Sequence, residues 1–213
     1  MPISLSELGL FCLGALALIV LPGPDFFYVL GRGIALGPRA GLASAAGIAS
    51  GLLCHTLLAA SGLTLLLFAS NTAFNAVKWL GAAYLIWIGV QTLRAKSSPF
   101  SPGAMREKAA FSTRDVWRQG VLTNVFNPKV ALTFAAYLPG FVHVKRGAAS
   151  LQIAFLGVTL CVLALGWFCV VGAIAGQLGA FLGRHPRAGR GANLFSGILL
   201  TLLGVRLALV SRG

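Results

Sequence analysis

The chain has 213 residues, 57% hydrophobic and 10% charged, with a net charge of +13 from 17 Lys+Arg against 4 Asp+Glu. Mean hydropathy is +0.87, and an ordinary soluble domain carries about 25% charge. Disorder, collagen and a coiled coil are excluded, and so little polar surface cannot cover a soluble globule this apolar. Spans of ~20 apolar residues would number about six here. The basic excess reads as topology marking around spans, not as a nucleic-acid surface.

The expected fold is an all-α integral membrane protein of six transmembrane helices, at about 5–30, 41–68, 72–93, 116–141, 150–176 and 192–210. The runs are continuously apolar, so helices and not barrel strands are expected. No Lys or Arg precedes Arg32, so the first run reads as a retained span and not a signal peptide. Four cysteines, Cys12, Cys54, Cys161 and Cys169, lie in apolar runs and read as buried free thiols. No metal-ligand spacing is present, and no cofactor is expected.

The whole chain, 1–213, reads as one transporter domain. Repeat one covers about 5–93, a basic connector about 94–115, and repeat two about 116–210. The polar stretch from Arg94 to Arg118 holds six basic residues. With both termini outside, inside loops hold eleven Lys or Arg and outside regions five, the bias the positive-inside rule requires. Pro24-Asp25 matches Pro128-Lys129, and Gly51 matches Gly157, in the same order along the chain. Two three-helix halves have opposite topology, so an inverted repeat is expected, with helices one and four broken by proline.

Within span one, Leu21-Pro22-Gly23-Pro24-Asp25 removes two backbone donors. The carbonyls of Leu18 and Val20 lose their helical partners, and Leu21 and Gly23 are pushed off helical dihedrals. Asp25 follows the break as an acid well inside a span, which marks a functional candidate. Span two carries Ala43, Gly47, Gly51 and His55 at intervals of four. Such a row lets a partner helix approach closely and places His55 against it, for a proton relay or a structural hydrogen bond. Span four repeats the device in Asn124-Val125-Phe126-Asn127-Pro128-Lys129. Pro128 frees the carbonyl of Asn124, and Asn124 and Asn127 share a face. Lys129 sits at the positive end of a half-helix and requires an anion: Asp25, a lipid phosphate or a substrate carboxylate.

These residues suit a midplane site for a small zwitterion. Asp25 and freed carbonyls would hold its ammonium group, and Lys129 with a half-helix N-terminus its carboxylate. Protons and the lipid bilayer are the other expected partners. Packing of the Gly-rich faces between chains would give a homo-oligomer. No hydrolase, metalloprotease or nucleotide-binding motif occurs, so no enzymatic activity is expected. Competing readings are a gating ion pair between Asp25 and Lys129, a structural or assembly protein without transport, and an exporter of an unrelated metabolite.

The motifs at 21–25, Arg39-Ala40-Gly41-Leu42, Gly47-x-x-x-Gly51-x-x-x-His55, Tyr84-Leu85-Ile86-Trp87-Ile88-Gly89, Gly120-x-x-x-Asn124-x-x-Asn127-Pro128-Lys129 and Leu138-Pro139-Gly140-Phe141-Val142 together resemble the LysE/RhtB amino-acid exporters. The resemblance runs from about residue 8 to 210 and looks closer to the RhtB-type branch. It implies a bacterial inner-membrane protein that exports amino acids or their derivatives by secondary active, proton-coupled transport. The family motif positions fall on Pro22, Gly23, Pro24, Asp25, Asn127, Pro128 and Lys129. Thr133 stands where the family more often has a bulky apolar residue.

Overall fold

A computed structural model describes residues 3–62 and 112–182, with single helical positions between 72 and 94 and between 194 and 209. Spans three and six and most of the basic connector lie outside the continuous described segments. Every regular element among the described residues is helical.

Helix α1, Leu5–Val20, starts on a capping box in which Ser4 and Glu7 each accept the other's backbone N–H. It stops where the prolines begin. Helix α2, Pro24–Leu36, restarts with Pro24 in its first turn, where a missing N–H costs nothing. The two axes are bent by 58°. Gly37 then turns the chain with φ +93°, and α3 runs Pro38–Ala60.

In the second half, α4 covers Thr113–Val125 and α5 covers Pro128–Leu132, with the break at Phe126–Asn127. After α5 the chain widens into a π turn, Thr133–Tyr137, then tightens into a 3₁₀ turn, Leu138–Phe141. Pro139 lacks the donor that would hold a regular ladder here, and π turns absorb such interruptions. A second 3₁₀ turn, Val144–Arg146, leads into α6, Ala149–Leu182.

Two of these helices, Pro38–Ala60 and Ala149–Leu178, are long and apolar enough to cross a membrane, and the bent α1–α2 pair makes a third candidate. The protein is a multi-pass membrane protein on this ground. The described residues thus carry two or three of the six expected spans. Leu10, Leu13, Leu57, Val162 and Ile174 face outward, as lipid-facing side chains do.

The core is antiparallel α3 on α6, with α2 and α4 against their flanks. Glycine sets the spacing. A Cβ on Gly41 would stand 2.7 Å from the Gly172 backbone, and one on Gly176 2.5 Å from Pro38 N. At the other end, Gly157 admits Thr56. The Ala43–His55 row turns to α4: a Cβ on Gly51 would meet Asn124 Cβ at 2.6 Å, and one on Gly47 would strike the Trp117 carbonyl.

Two expectations, the end of the helix after the first break and the burial of Cys54, require correction. The helix after the first break runs to Leu36, past the expected end near residue 30. Ser112 accepts the Asp115 N–H and caps α4 from Thr113. Span five, expected at about 150–176, lies in the candidate span Ala149–Leu178, and its helix continues to Leu182. Gly172 and Gly176 there are contact residues for α3 and not helix stops. Cys54 is exposed, on the outward face of α3, while Cys161 is buried.

Candidate functional site

The two helix breaks meet. Asp25, on the first turn of α2, is 7% exposed, and Asn124, on the last turn of α4, is fully buried. Asn124 Nδ2 donates to Asp25 Oδ2 at 2.8 Å. Asp25 Oδ1 and Asn124 Oδ1 are buried with no hydrogen-bond partner among the described residues. Two orphaned acceptors in one contact pair are rare in a folded protein.

The second break is better provided. Pro128 frees the Asn124 carbonyl, which then accepts from the Asn127 N–H at 2.9 Å and pairs with His55 Nε2 at 3.3 Å. A carbonyl only accepts, so Nε2 carries the proton in this contact. The His55 ring stacks on Phe134, centroids 5.5 Å apart. Asn127 is buried and caps α5, its Oδ1 accepting the Lys129 N–H at 3.0 Å.

Lys129 is half-buried, and its Nζ donates to the Leu21 carbonyl at 2.6 Å. Leu21 is the C-cap of α1, so the ammonium sits where a helix end concentrates negative charge. A backbone carbonyl from the first break therefore accepts from the ammonium in this structure. Among the described residues the ion pairs are Glu7 with His143 and with Arg146, each at 2.9 Å. Asp25 and Lys129 do not form a direct gating ion pair in this conformation.

A cavity of about 40 Å³ lies between the breaks, with Gly23, Asp25, Asn127, Lys129 and Thr133 on its polar side. That is room for about three waters, far below the ~300–1,000 Å³ of an open small-molecule site. Gly23 leaves Lys129 space, since a Cβ there would lie 3.3 Å from Lys129 Cδ.

The site residues thus separate by place. Asp25, Asn127 and Lys129 line the cavity, while Asn124 and His55 stand behind it. Pro22 and Pro24 open the first break, and Pro128 opens the second.

The LysE type translocator family model matches residues 16–211. The chain belongs to this family. Being a translocator, it is a transport protein and not an enzyme. It is 35% identical to an uncharacterised membrane protein, YrhP, of Bacillus subtilis over 161 residues, 72% of this chain and 76% of the relative. It is 30% identical to a homoserine/homoserine lactone efflux protein of Salmonella typhimurium over 93% of this chain and 94% of that one. A leucine efflux protein of Klebsiella pneumoniae is 28% identical over 83% of this chain and 81% of its own length. No solved structure matches.

Sequence reasoning missed seven cavity residues of this translocator: Ile19, Phe26, Leu52 and Val130, and then Leu160, Ala164 and Phe168 on α6. In continuously apolar helices nothing marks a cavity wall. The spacing of the last three, at intervals of four, was the available signal.

Proposed function

We propose that this translocator is a secondary active exporter of amino acids or small amino-acid derivatives, neutral zwitterions of the threonine, homoserine or leucine kind, driven by inward proton flow. Asp25 carries the reading: an acid at a helix break, with one carboxylate oxygen buried and without a partner among the described residues, on the wall of a cavity shared with Lys129. Leaving a buried acceptor unpaired costs about 1–3 kcal/mol. A substrate ammonium removes that cost by donating to the oxygen, and a proton on Asp25 removes its charge. The two compete for the same carboxylate, so binding one displaces the other, and that exclusion is what antiport needs.

In this scheme the substrate enters from the inside and places its ammonium on Asp25. Lys129 turns from the Leu21 carbonyl to the substrate carboxylate, and α1 loses its tie to α5. Release outside follows when a proton takes Asp25. His55 and Asn124 hold the second break in shape. The membrane is the bacterial inner membrane, both termini lie outside, and the six spans form two inverted halves. The Glu7–Arg146 contact supports this arrangement, because the start of span one and the loop after span four then share a side.

The test is efflux from cells loaded with labelled amino acids, with and without a protonophore, for the intact protein and Asp25→Asn at matched membrane expression. Export abolished by both treatments is the expected result. Export that survives the protonophore overturns proton coupling, and no export of any amino acid overturns the substrate class.

A further inference from the structure

We propose that Tyr28 and Tyr137 are the two gates of this translocator. Each closes one way out of the cavity with a hydroxyl placed on a backbone carbonyl of the opposite half. This rests on the reading of that cavity as a transport site. Neither tyrosine lines the cavity, so both act by positioning the helices around it.

Tyr28, on α2 and 4% exposed, donates to the Val116 carbonyl of α4 at 2.6 Å. Tyr137, at the end of the π turn, donates to the Phe11 carbonyl of α1 at 2.8 Å. The two bonds have one form. Each tyrosine follows the break of its own half and closes on the helix that precedes the other break. Val116 stands 12 residues before Pro128, and Phe11 stands 13 before Pro24. Two inverted halves would produce an exchange of this kind.

The bonds lie on opposite sides of the cavity. Asp25 and Lys129 mark the cavity at the starts of α2 and α5. Val116 is eight residues back along α4 from Asn124, about 12 Å at 1.5 Å per residue. Phe11 is ten residues back along α1 from Leu21, about 15 Å. A bend of 58° still sends α1 and α2 away from the break in opposite directions, and α4 accompanies α2. One side is therefore closed by α2 on α4, and the other by α1 on the π turn.

Both bonds are releasable. Phe11 and Val116 are inside helices, so each carbonyl keeps its helical N–H when the hydroxyl leaves. The first gate is also a thin seam. Gly33 of α2 sits against Ala175 of α6, and Gly120 of α4 against Gly47 of α3, so its two helices lean on different partners. Arg32 adds a second tie, donating to Gln119 of α4 with its guanidinium 5.6 Å from the Tyr28 ring. At the other gate Phe11 and Phe141 pack the Tyr137 ring, with centroids 5.5 and 5.2 Å away. Both gates are shut in this structure, and alternating access requires them to open in turn.

The test reads the sidedness of access. Thr133→Cys places a thiol on the cavity wall. Its labelling by a membrane-impermeant sulfonated maleimide is measured in right-side-out and inside-out vesicles, and the rate for the same protein with Thr133 intact is subtracted. Loss of one hydrogen bond shifts a two-state ratio about fivefold. Tyr28→Phe is expected to raise labelling by about that factor from one side, the inside if both termini lie outside. Tyr137→Phe should raise it as much from the other side. Gly14→Ala, whose Cβ would strike the Tyr137 hydroxyl, should act as Tyr137→Phe does, and Arg32→Met as Tyr28→Phe does. Those two variants decide the matter if a phenylalanine variant fails to fold. Equal rises from both sides mean loosened packing and overturn the gates, as does no change in folded variants. Opposite shifts with the sides exchanged uphold the gates and reverse the topology. Labelling needs no substrate, so the two readings fail separately. Opposite shifts in a protein that exports no amino acid uphold the gates and overturn the exporter, and export without a sided shift overturns the gates alone.

Discussion

The two helix breaks are built from the same element, a proline that interrupts a span, yet they are finished differently. At the second break every freed group named above has a partner: His55 and the Asn127 N–H on the Asn124 carbonyl, and the Asn127 side chain on the Lys129 N–H. At the first break one Asp25 carboxylate oxygen has no hydrogen-bond partner among the described residues. A membrane interior tolerates broken backbone only when its polar groups are satisfied. The freed backbone of the second break obeys this rule and serves as scaffold, although the Asn124 side-chain oxygen beside it has no partner among the described residues. The first leaves one acceptor open, and that opening is where a ligand or proton has something to gain.

The comparison makes unequal demands on substitutions. Asp25→Asn keeps the size of the side chain and removes the charge. Efflux should fall to background in a transport assay, about 100-fold or more if the carboxylate binds both proton and ammonium, with a normal detergent elution profile. Gly51→Val comes next. Its Cβ meets Asn124 Cβ at 2.6 Å, so the scaffold itself must move, and overpacking costs about 1–3 kcal/mol. Thermal unfolding in detergent should drop by several degrees. Gly23→Ala, at the first break, meets the flexible Lys129 chain at 3.3 Å and should barely shift the midpoint. Equal losses at the two glycines would remove the distinction between scaffold and working break.

His55→Ala sharpens the same contrast. It strips one partner from the Asn124 carbonyl and leaves the Asn127 N–H in place, so about 1 kcal/mol of stability should go. Proton-coupled efflux should persist, with His55→Gln restoring the melting temperature. Loss of the protonophore response in a folded His55→Gln protein would instead make His55 a relay. The smallest effect belongs to Glu7→Gln, at the solvent-facing contact with His143 and Arg146. A slight, salt-sensitive drop in melting temperature is expected, without change in efflux.

Both breaks were legible from the sequence because proline chemistry is local. Pro22, Pro24 and Pro128 dictate which carbonyls lose donors whatever surrounds them. The small-residue row from Ala43 to His55 also declared its face, and the structure puts α4 against it. The partner of Lys129 was not legible. Charge reasoning pointed to an anion, and the structure supplies the Leu21 carbonyl, a contact between residues 108 apart in sequence. The length of α6 was hidden because glycine in a membrane helix signals close packing as readily as an end. Its cavity residues were hidden because leucine, alanine and phenylalanine give no contrast inside an apolar run.

Helix α6 has 34 residues, which at 1.5 Å per residue makes it about 51 Å long. The hydrocarbon layer is about 30 Å thick. A tilt of about 20°, the average for such helices, takes up only a few ångströms of the difference. Roughly 20 Å of α6 therefore stands in headgroups or water. Because α6 is one unbroken rod, its two ends are mechanically the same body. A reagent, antibody or neighbouring protein that grips an emergent end holds the buried cavity residues between 160 and 168 as well.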